Sequence, residues 1–463
     1  MSQLATVESR FTGLTALLRN RYLKDVIDLR TRVGTPTMQR LKPAAMHTTA
    51  RDNWLQYEVA AADSARMNTN LLRDYGTPNK SKAGSLNYRY DPDNPALNDV
   101  VGIDSVARVS LADMEKAGTP DGMMSLAQKV TKDVFAGINE TPSTMMHSDA
   151  GASIGAVNGT KVKPTTDFAN GDTYVSGDTS ATIAIDGYSI GVYRRGMVLD
   201  LYNGETMVLD NIYVRHVDYD QHTIVVERTS DTTALNLDGI VDNLTIYRSG
   251  EKGQGFKTSF GGVFPETVTA GESWVGGVDR STIDYMHLLP MMLRRNNATP
   301  ELPSQSHLDA LGLAMGYAKA GTKENPYTLF AGNGLIQSMR NSIGDMNVVM
   351  ASNTNNKDNQ FGNASLRYHH PDLGEIEMVS DVTARNDRFT FLKTQNVKMM
   401  QAGFKGLHIA TEGNGLGYFE RLEGTNGVRG GSKFYKMEAS LWETPVWERF
   451  DECATVFGLT TDS

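Results

Sequence analysis

Between Ser180 and Tyr247 apolar residues recur at every second position, whereas on either side they recur at every third and fourth. Ile183 and Ile185 alternate with Thr182 and Ala184, and residues 197–202, 205–209, 212–214, 223–226 and 244–247 supply further strands. Asn203-Gly204 stands between two of these runs. It predicts a tight hairpin, because the central residues of such a turn need φ > 0. Strands in that number suffice for a small closed antiparallel barrel. The block carries no catalytic constellation and reads as an insertion that decorates a second fold.

That second fold has helical spacing at several places. Leu14, Leu18, Tyr22, Val26, Leu29 and Val33 form one stripe, which Gly34 and Pro36 end. Thr119 as N-cap and Pro120 at the first helical position open a long helix with Met123, Leu126, Ala127, Val130, Val134 and Ile138 on its apolar side. Ser304 or Ser306 caps a third, with Leu308, Leu311, Met315 and Ala318 in its stripe, Gly312 and Gly316 on a flattened face and Gly321 at its stop. Residues 327–330 then predict a short buried strand, and Asn333 caps a helix carrying Leu335, Ile336, Met339 and Ile343 up to Gly344. Residues 375–379 and 389–392, joined by a turn near Arg385-Asn386-Asp387, read as a hairpin. A glycine-rich loop over 413–431 precedes closing strands at 434–437 and 442–447.

Residues 48–112 look different. Strand candidates at 54–59 and 106–111 flank a stretch broken by Gly76, Pro78, Asn79, Gly84, Pro92 and Pro95. A long, weakly apolar loop inside a compact domain either has a function or stays unordered.

Charge sharpens the division. The chain has 463 residues and a net charge of −9, yet residues 1–42 hold eight basic and three acidic residues, a net +5, leaving −14 on the remainder. A basic arm on an acidic body fits a polyanionic partner on one side, and fits a solvated helix face equally well. The single cysteine, Cys453, excludes an intrachain disulfide and points to a reducing compartment. No apolar run approaches the ~20 residues that span a bilayer, and residues 14–18 are too short for a signal peptide before Arg19 and Arg21.

The candidate chemistry is thin. His369-His370 with Asp372 and Glu375 could be metal ligands, but adjacent strand residues point to opposite faces, so the cluster reads as loop and strand. His216, Asp218, Asp220 and His222 read as a turn in which aspartate accepts backbone hydrogen bonds. Gly253-Gln254-Gly255 lacks the third glycine and the following helix of a dinucleotide fingerprint. No nucleophile elbow or phosphate loop occurs, and Glu375 and Glu377 sit on a solvent face. Met123, Met124, Met145 and Met146 read as core filler or adaptable contact surface. No catalytic residue, cofactor or metal is expected.

The order of arm, extended loop, long helix, inserted barrel, helix–strand–helix, hairpin and terminal strands resembles the major capsid proteins of tailed double-stranded DNA bacteriophages, whose fold is named after phage Hong Kong 97. Three stretches carry the resemblance: residues 126–138, similar to the spine helix; Ser273-Trp274-Val275-Gly276-Gly277-Val278-Asp279-Arg280-Ser281, similar to a glycine-Ile/Val-Asp-Arg-Ser segment after the barrel; and residues 308–343. It implies an α+β Hong Kong 97-type fold with axial and peripheral domains. The N-terminal arm would be residues 1–45, the E-loop and its flanking strands 46–112, the spine helix 113–150, the inserted barrel 151–255, and the axial domain with the remaining peripheral strands 256–463.

By the same resemblance the chain is a non-enzymatic virion subunit. It would self-assemble into hexamers and pentamers of an icosahedral shell in the bacterial host cytoplasm. A scaffolding protein, a portal at one vertex, packaged DNA bound non-specifically and a decoration or cement protein are the implied partners, with no membrane. Tyr75, Lys80, Lys82, Leu86, Tyr88, Arg89 and Tyr90 would touch a neighbouring subunit from the E-loop tip. Arg10, Arg19, Arg21, Lys24, Arg30 and Arg32 would line the inner surface. The alternatives are an encapsulin-like nanocompartment shell and a β-rich carbohydrate-binding or carbohydrate-active protein. The latter needs a concave site with aromatic platforms or paired carboxylates, and Trp54, Trp274, Trp442 and Trp447 do not cluster in sequence.

Overall fold

The structure, a computed structural model, describes residues 35–41, 43–45, 54–58, 85–89, 100–110, 140–149, 151–164, 170–187, 190–219, 221–228, 237–264, 274–275, 278–279, 289–294, 299–315, 320–344, 366–401, 407–409, 420–422, 434–450 and 452–461. It is a mixed α+β chain that divides into two compact units. One comprises residues 1–47, 100–143 and 399–444, and the other residues 48–99, 144–398 and 445–463. The helix stripes expected over 14–33 and 119–138 lie outside the described residues, as does the loop over 413–431 apart from its strand Glu420–Leu422.

In the first unit a single long strand organises a six-stranded sheet. Phe434–Trp447 is continuous, where the sequence suggested two pieces. It pairs antiparallel with Val101–Ser110, which starts five residues earlier than expected and stays in register from Glu443↔Val101 to Phe434↔Ser110. Pro43–Ala45 runs parallel to Val397–Gln401 at the sheet's edge. Pro36, expected to follow the end of a helix over 14–33 that lies outside the described residues, is itself the first residue of a helix. That helix, Pro36–Arg40, has five residues and Thr35 as N-cap, and proline's fixed φ suits its first position.

In the second unit the alternating block forms a closed sheet. Its strands are β1 (Gly155–Pro164), β2 (Asn170–Thr173), β3 (Ser180–Asp186), β4 (Val198–Asn203), β5 (Thr206–Asp218), β6 (Thr223–Arg228) and β7 (Thr245–Arg248). The order is β7-β4-β5-β6-β3-β1-β2, and β7 also pairs with β1, so six strands form a ring. The ring thus begins at Gly155, not Ser180: β1 supplies the strand that closes it. The runs expected at 205–209 and 212–214 merge into one strand, β5, which starts at Thr206 and has Asn211 at φ 51° between them. The Asp200 carboxylate holds that irregularity, accepting from Asn211 N at 3.0 Å and, with its other oxygen, from Gly250 N at 2.9 Å. The hairpin turn lies one residue further on than expected. Asn203 pairs with Thr206, leaving Gly204 and Glu205 as the central residues, and Gly204 carries the left-handed φ of 56°. Ile183, Leu199, Leu201, Ile212, Val214, Ile224, Val226 and Ile246 fill the interior.

A six-stranded mixed sheet forms the rest of this unit: β8 (Met291–Arg294), β9 (Tyr327–Ala331), β10 (Leu366–His370), β11 (Gly374–Ser380), β12 (Arg388–Lys393) and β13 (Cys453–Phe457), in the order β8-β13-β12-β9-β11-β10. β11 and β12 are not a hairpin. β9 lies between them, parallel to β11 and antiparallel to β12. All five residues of β9 are buried, so its backbone groups need a partner on each edge, and the turn at 381–387 must step over it. Helix α1 (Gln305–Ala314) takes Ser304 as its N-cap, and helix α2 (Asn333–Gly344) starts at Asn333, whose side-chain oxygen accepts from Ser380 rather than capping. Leu308, Leu311, Met315, Leu335, Ile336 and Met339 bury the expected stripes.

α1 stops before Gly321. That glycine instead bridges Gly374, donating to Leu373 O at 2.7 Å and accepting from Glu375 N at 3.1 Å. A Cβ at Gly321 would overlap Glu375 O, so close backbone approach is what the position requires. Gly312 does pack closely, against His370 and Asp372, as its place in the stripe suggested; Gly316 and Ala318 lie outside the described residues.

Candidate assembly surface

Within residues 48–112 a second strand pairing accompanies that of Val101–Ser110. Trp54–Glu58 and Ser85–Arg89 pair antiparallel in a two-stranded ribbon, with Trp54 opposite Arg89, Leu55 opposite Tyr88 and Tyr57 opposite Leu86. Among the described residues no third strand joins this ribbon. Of the expected contact residues, Leu86, Tyr88 and Arg89 lie in the ribbon, while Tyr75, Lys80, Lys82 and Tyr90 fall outside the described residues. The arm residues Arg10, Arg19, Arg21, Lys24, Arg30 and Arg32 also fall outside them. Trp274–Val275 and Val278–Asp279 of the glycine-rich segment pair antiparallel around Gly276-Gly277.

The candidate chemical clusters resolve into structural ones. His370 is buried and His369 exposed, on opposite faces of β10. His370 Nδ1 accepts from the backbone N–H of Asp372 and Leu373, both at 3.2 Å, which leaves Nε2–H to donate to Asp309 at 3.0 Å. These bonds make the ring a brace for the turn after β10. Among the described residues no group of three or more His, Cys, Asp or Glu side chains could hold a metal ion. Asp218 accepts from Gln221 N at 3.1 Å, and His222 takes φ 52°, so this cluster is a turn. His216 meets Arg195 at 2.6 Å, and Asp220 lies outside the described residues. Gly253 bridges to Gly151 O and binds backbone rather than phosphate. Glu375 and Glu377 are half-buried on the opposite side of β11 from Ile376 and Met378. Met145 and Met146 are core residues. No helix among the described residues is long and apolar enough to cross a membrane.

Sequence reading missed charged groups that the fold buries wholly or in part. Lys393 and Glu452 form an ion pair at 3.1 Å, with side chains only 3% and 2% exposed, and Asn396 donates to the other carboxylate oxygen at 2.9 Å. The 59 residues separating the partners hid this pair. Asp387 accepts two hydrogen bonds from each of Arg385 and Arg388. Burial alone would raise its pKa, but the two guanidinium groups outweigh that and hold the carboxyl well below the ordinary range. Lys161 donates to three main-chain oxygens, those of Leu237, Asp238 and Ile240, at 2.7–3.0 Å and sits over the Tyr174 ring. Burial pulls its pKa down and the Asp238 charge opposes that. His147 stands edge-on to Phe260 and Phe330. Burial lowers its pKa to about 4, against the raising influence of Asp381.

No protein-family model matches this chain, and no curated protein sequence matches it. Solved structures are similar at low identity. One is the cyanophage A-1(L) capsid asymmetric unit, 9% identical, aligned over 92% of this chain and 93% of its own, with a TM-score of 0.44. Another is the satellite phage P4 procapsid including its size determination protein, 9% identical over 95% of this chain and 99% of its own, with a TM-score of 0.34. The SrpI encapsulin from Synechococcus elongatus PCC 7942 is 12% identical but covers 37% of this chain and 54% of its own, with a TM-score of 0.21. These superpositions are loose.

Proposed function

We propose that this chain is a structural subunit of a tailed-phage capsid with the Hong Kong 97-type fold. In this reading the closed ring over 155–248 is a domain inserted into that fold, and the chain does no chemistry. It self-assembles into hexamers and pentamers of an icosahedral shell around double-stranded DNA. The ribbon Trp54–Glu58/Ser85–Arg89 carries the proposal. Two strands alone are marginal in water, and among the described residues no third joins them, so the ribbon fits a role in which a neighbouring copy packs against it. Leu55, Tyr57, Leu86 and Tyr88 occupy alternate positions of the paired strands, the spacing that gathers residues on one face. Cyclic head-to-tail contacts of this kind close into rings when the rotation closes.

The basic residues of the arm, Arg10 to Arg32, then face inward, toward packaged DNA or an acidic segment of a separate scaffolding protein. A portal at one vertex and a decoration protein complete the proposed set of partners, with assembly in the host cytoplasm. Negative-stain microscopy of the purified full chain, alone and co-expressed with the products of neighbouring genes, tests the reading. Closed particles tens of nanometres across are the expected result. A stable monomer under every such condition overturns it.

A further inference from the structure

Two chain crossings join the closed ring to the rest of its unit, residues 148–153 on the way in and 249–262 on the way out. They are stapled together. Gly151 O accepts from Gly253 N at 2.9 Å, and Ser148 O accepts from Gly261 N at 3.2 Å and from Ser259 Oγ at 2.9 Å. Asp149 Oδ1 straps the incoming crossing by accepting from Gly151 N and Ser153 N. The outgoing one is tied to residues 445–447 of the same unit: Trp447 Nε1 donates to Thr258 O at 2.9 Å, and Thr258 Oγ1 donates to Pro445 O. A pair of adjacent crossings defines one line, about which a rigid ring can still turn.

A third contact lies off that line. At the end of β3 the chain turns at Gly187, φ 84°, and Gly187 O accepts from Asn386 N at 3.2 Å. The Arg385 guanidinium lies 3.5 Å from where a Cβ on Gly187 would stand. The loop making this contact is anchored to the mixed sheet. Gly332 N donates to Arg385 O at 2.9 Å, Leu459 N donates to Asp387 O at 3.0 Å, and Asp387 pins the guanidinium groups of Arg385 and Arg388. Arg388 in turn lies over the Phe457 ring.

We propose that residues 385–387 are a latch that closes on Gly187 and fixes the ring's orientation on the mixed sheet. Opening the latch frees the ring to pivot about the stapled crossings, without unfolding either part. Among the described residues the latch is made of one backbone hydrogen bond and a half-buried guanidinium contact, fewer hydrogen bonds than the stapled crossings make, so it is the attachment that can open first.

Paired spin labels test this in the full chain. Glu205→Cys, at the ring's hairpin tip, and Leu313→Cys, on α1, give exposed labelling sites, while the native Cys453 is buried. The distance distribution between them should be narrow in the otherwise native chain. It should broaden in Arg385→Ala, which loosens the latch from the sheet side, and in Gly187→Val, which crowds it from the ring side. Circular dichroism and cooperative melting establish that each variant is folded; if Arg385→Ala fails to fold, Gly187→Val gives the answer. Folded variants with the native width, or a native distribution already as broad as theirs, overturn the proposal.

Discussion

Burying an ionisable side chain makes its protonation state part of the fold, and His147 shows the consequence most directly. An unfolded histidine protonates near pH 6.5, whereas buried His147 does so only at about pH 4. Its folded pKa is depressed, so its neutral form favours the native state. That contribution is complete above pH 6.5, is lost as the pH falls toward 4, and changes no further below that. The size over the whole window is roughly 3 kcal/mol. His147→Gln should lower stability at neutral pH yet lose less on acidification, and urea denaturation of both proteins at several pH values across the window measures the difference. Parallel curves would show that another group sets the acid response. The Lys393–Glu452 pair makes a second test. Removing one partner leaves a buried charge and should cost about 3–5 kcal/mol in Glu452→Leu, whereas Lys393→Met with Glu452→Leu should recover part of it. Asn396 loses its acceptor in both, so recovery is incomplete. Denaturant midpoints of the two singles and the double close the cycle. Neither feature was legible in the sequence, because nothing in a string of residues shows that Lys393 will face Glu452 or that His147 will stand among Phe260 and Phe330.

At the scale of elements, what could be read was what short-range patterning specifies. Alternation found β3, β4, β6 and β7, and helical spacing with serine at the cap found α1. β1 was missed because its second half, Asn158-Gly159-Thr160-Lys161-Val162-Lys163, breaks the alternation; Lys161 is held by the carbonyls of residues 237–240 instead of by an apolar partner. The supposed β11–β12 hairpin failed for the opposite reason. Its sequence is sound for two strands, but β9, more than forty residues before, occupies the space between them. β1 also decides how the ring can be tested. A segment covering 151–255 keeps the β1–β7 closure and should fold by itself, with a dispersed amide spectrum. A segment starting after Pro164 opens the ring, exposes unpaired edges on β3 and β7, and should lose that dispersion or aggregate. Equal spectra would show that closure is not what stabilises the ring. Gly374 offers a smaller test in the mixed sheet. With φ 71° and no room for a Cβ beside Gly321, Gly374→Ala should destabilise by more than about 1 kcal/mol, read as a lowered melting temperature.

At the scale of the whole molecule the ribbon Trp54–Glu58/Ser85–Arg89 is the longer of two strand pairs that the chain's larger sheets leave unpartnered among the described residues. Holding each of its residues in place costs roughly 1–2 kcal/mol of backbone entropy, and a lone hairpin does not offset that in water. The proposed shell resolves the imbalance by lending the ribbon a neighbour. Charges at Lys80, Lys82 and Arg89 add little to such a contact, ~0–1 kcal/mol for each exposed pair, so the apolar positions Leu55, Tyr57, Leu86 and Tyr88 must carry most of it. Two replacements separate the roles. Exchanging residues 76–95 for a short Gly-Ser linker removes the strand Ser85–Arg89. Exchanging 76–84 alone keeps the strand pair and deletes only sequence between its members. Because the closed ring and the mixed sheet make no use of this region in their strand pairing, both variants should keep the subunit's circular dichroism spectrum and its cooperative melting. Particle yield is where they should part. The longer replacement should block closed shells in microscopy, and the shorter one should allow shells of reduced heat resistance if the tip itself also contributes. Normal particles of native heat resistance from the longer replacement would mean that the ribbon is dispensable for assembly, and the shell would have to be held by surfaces elsewhere on the chain.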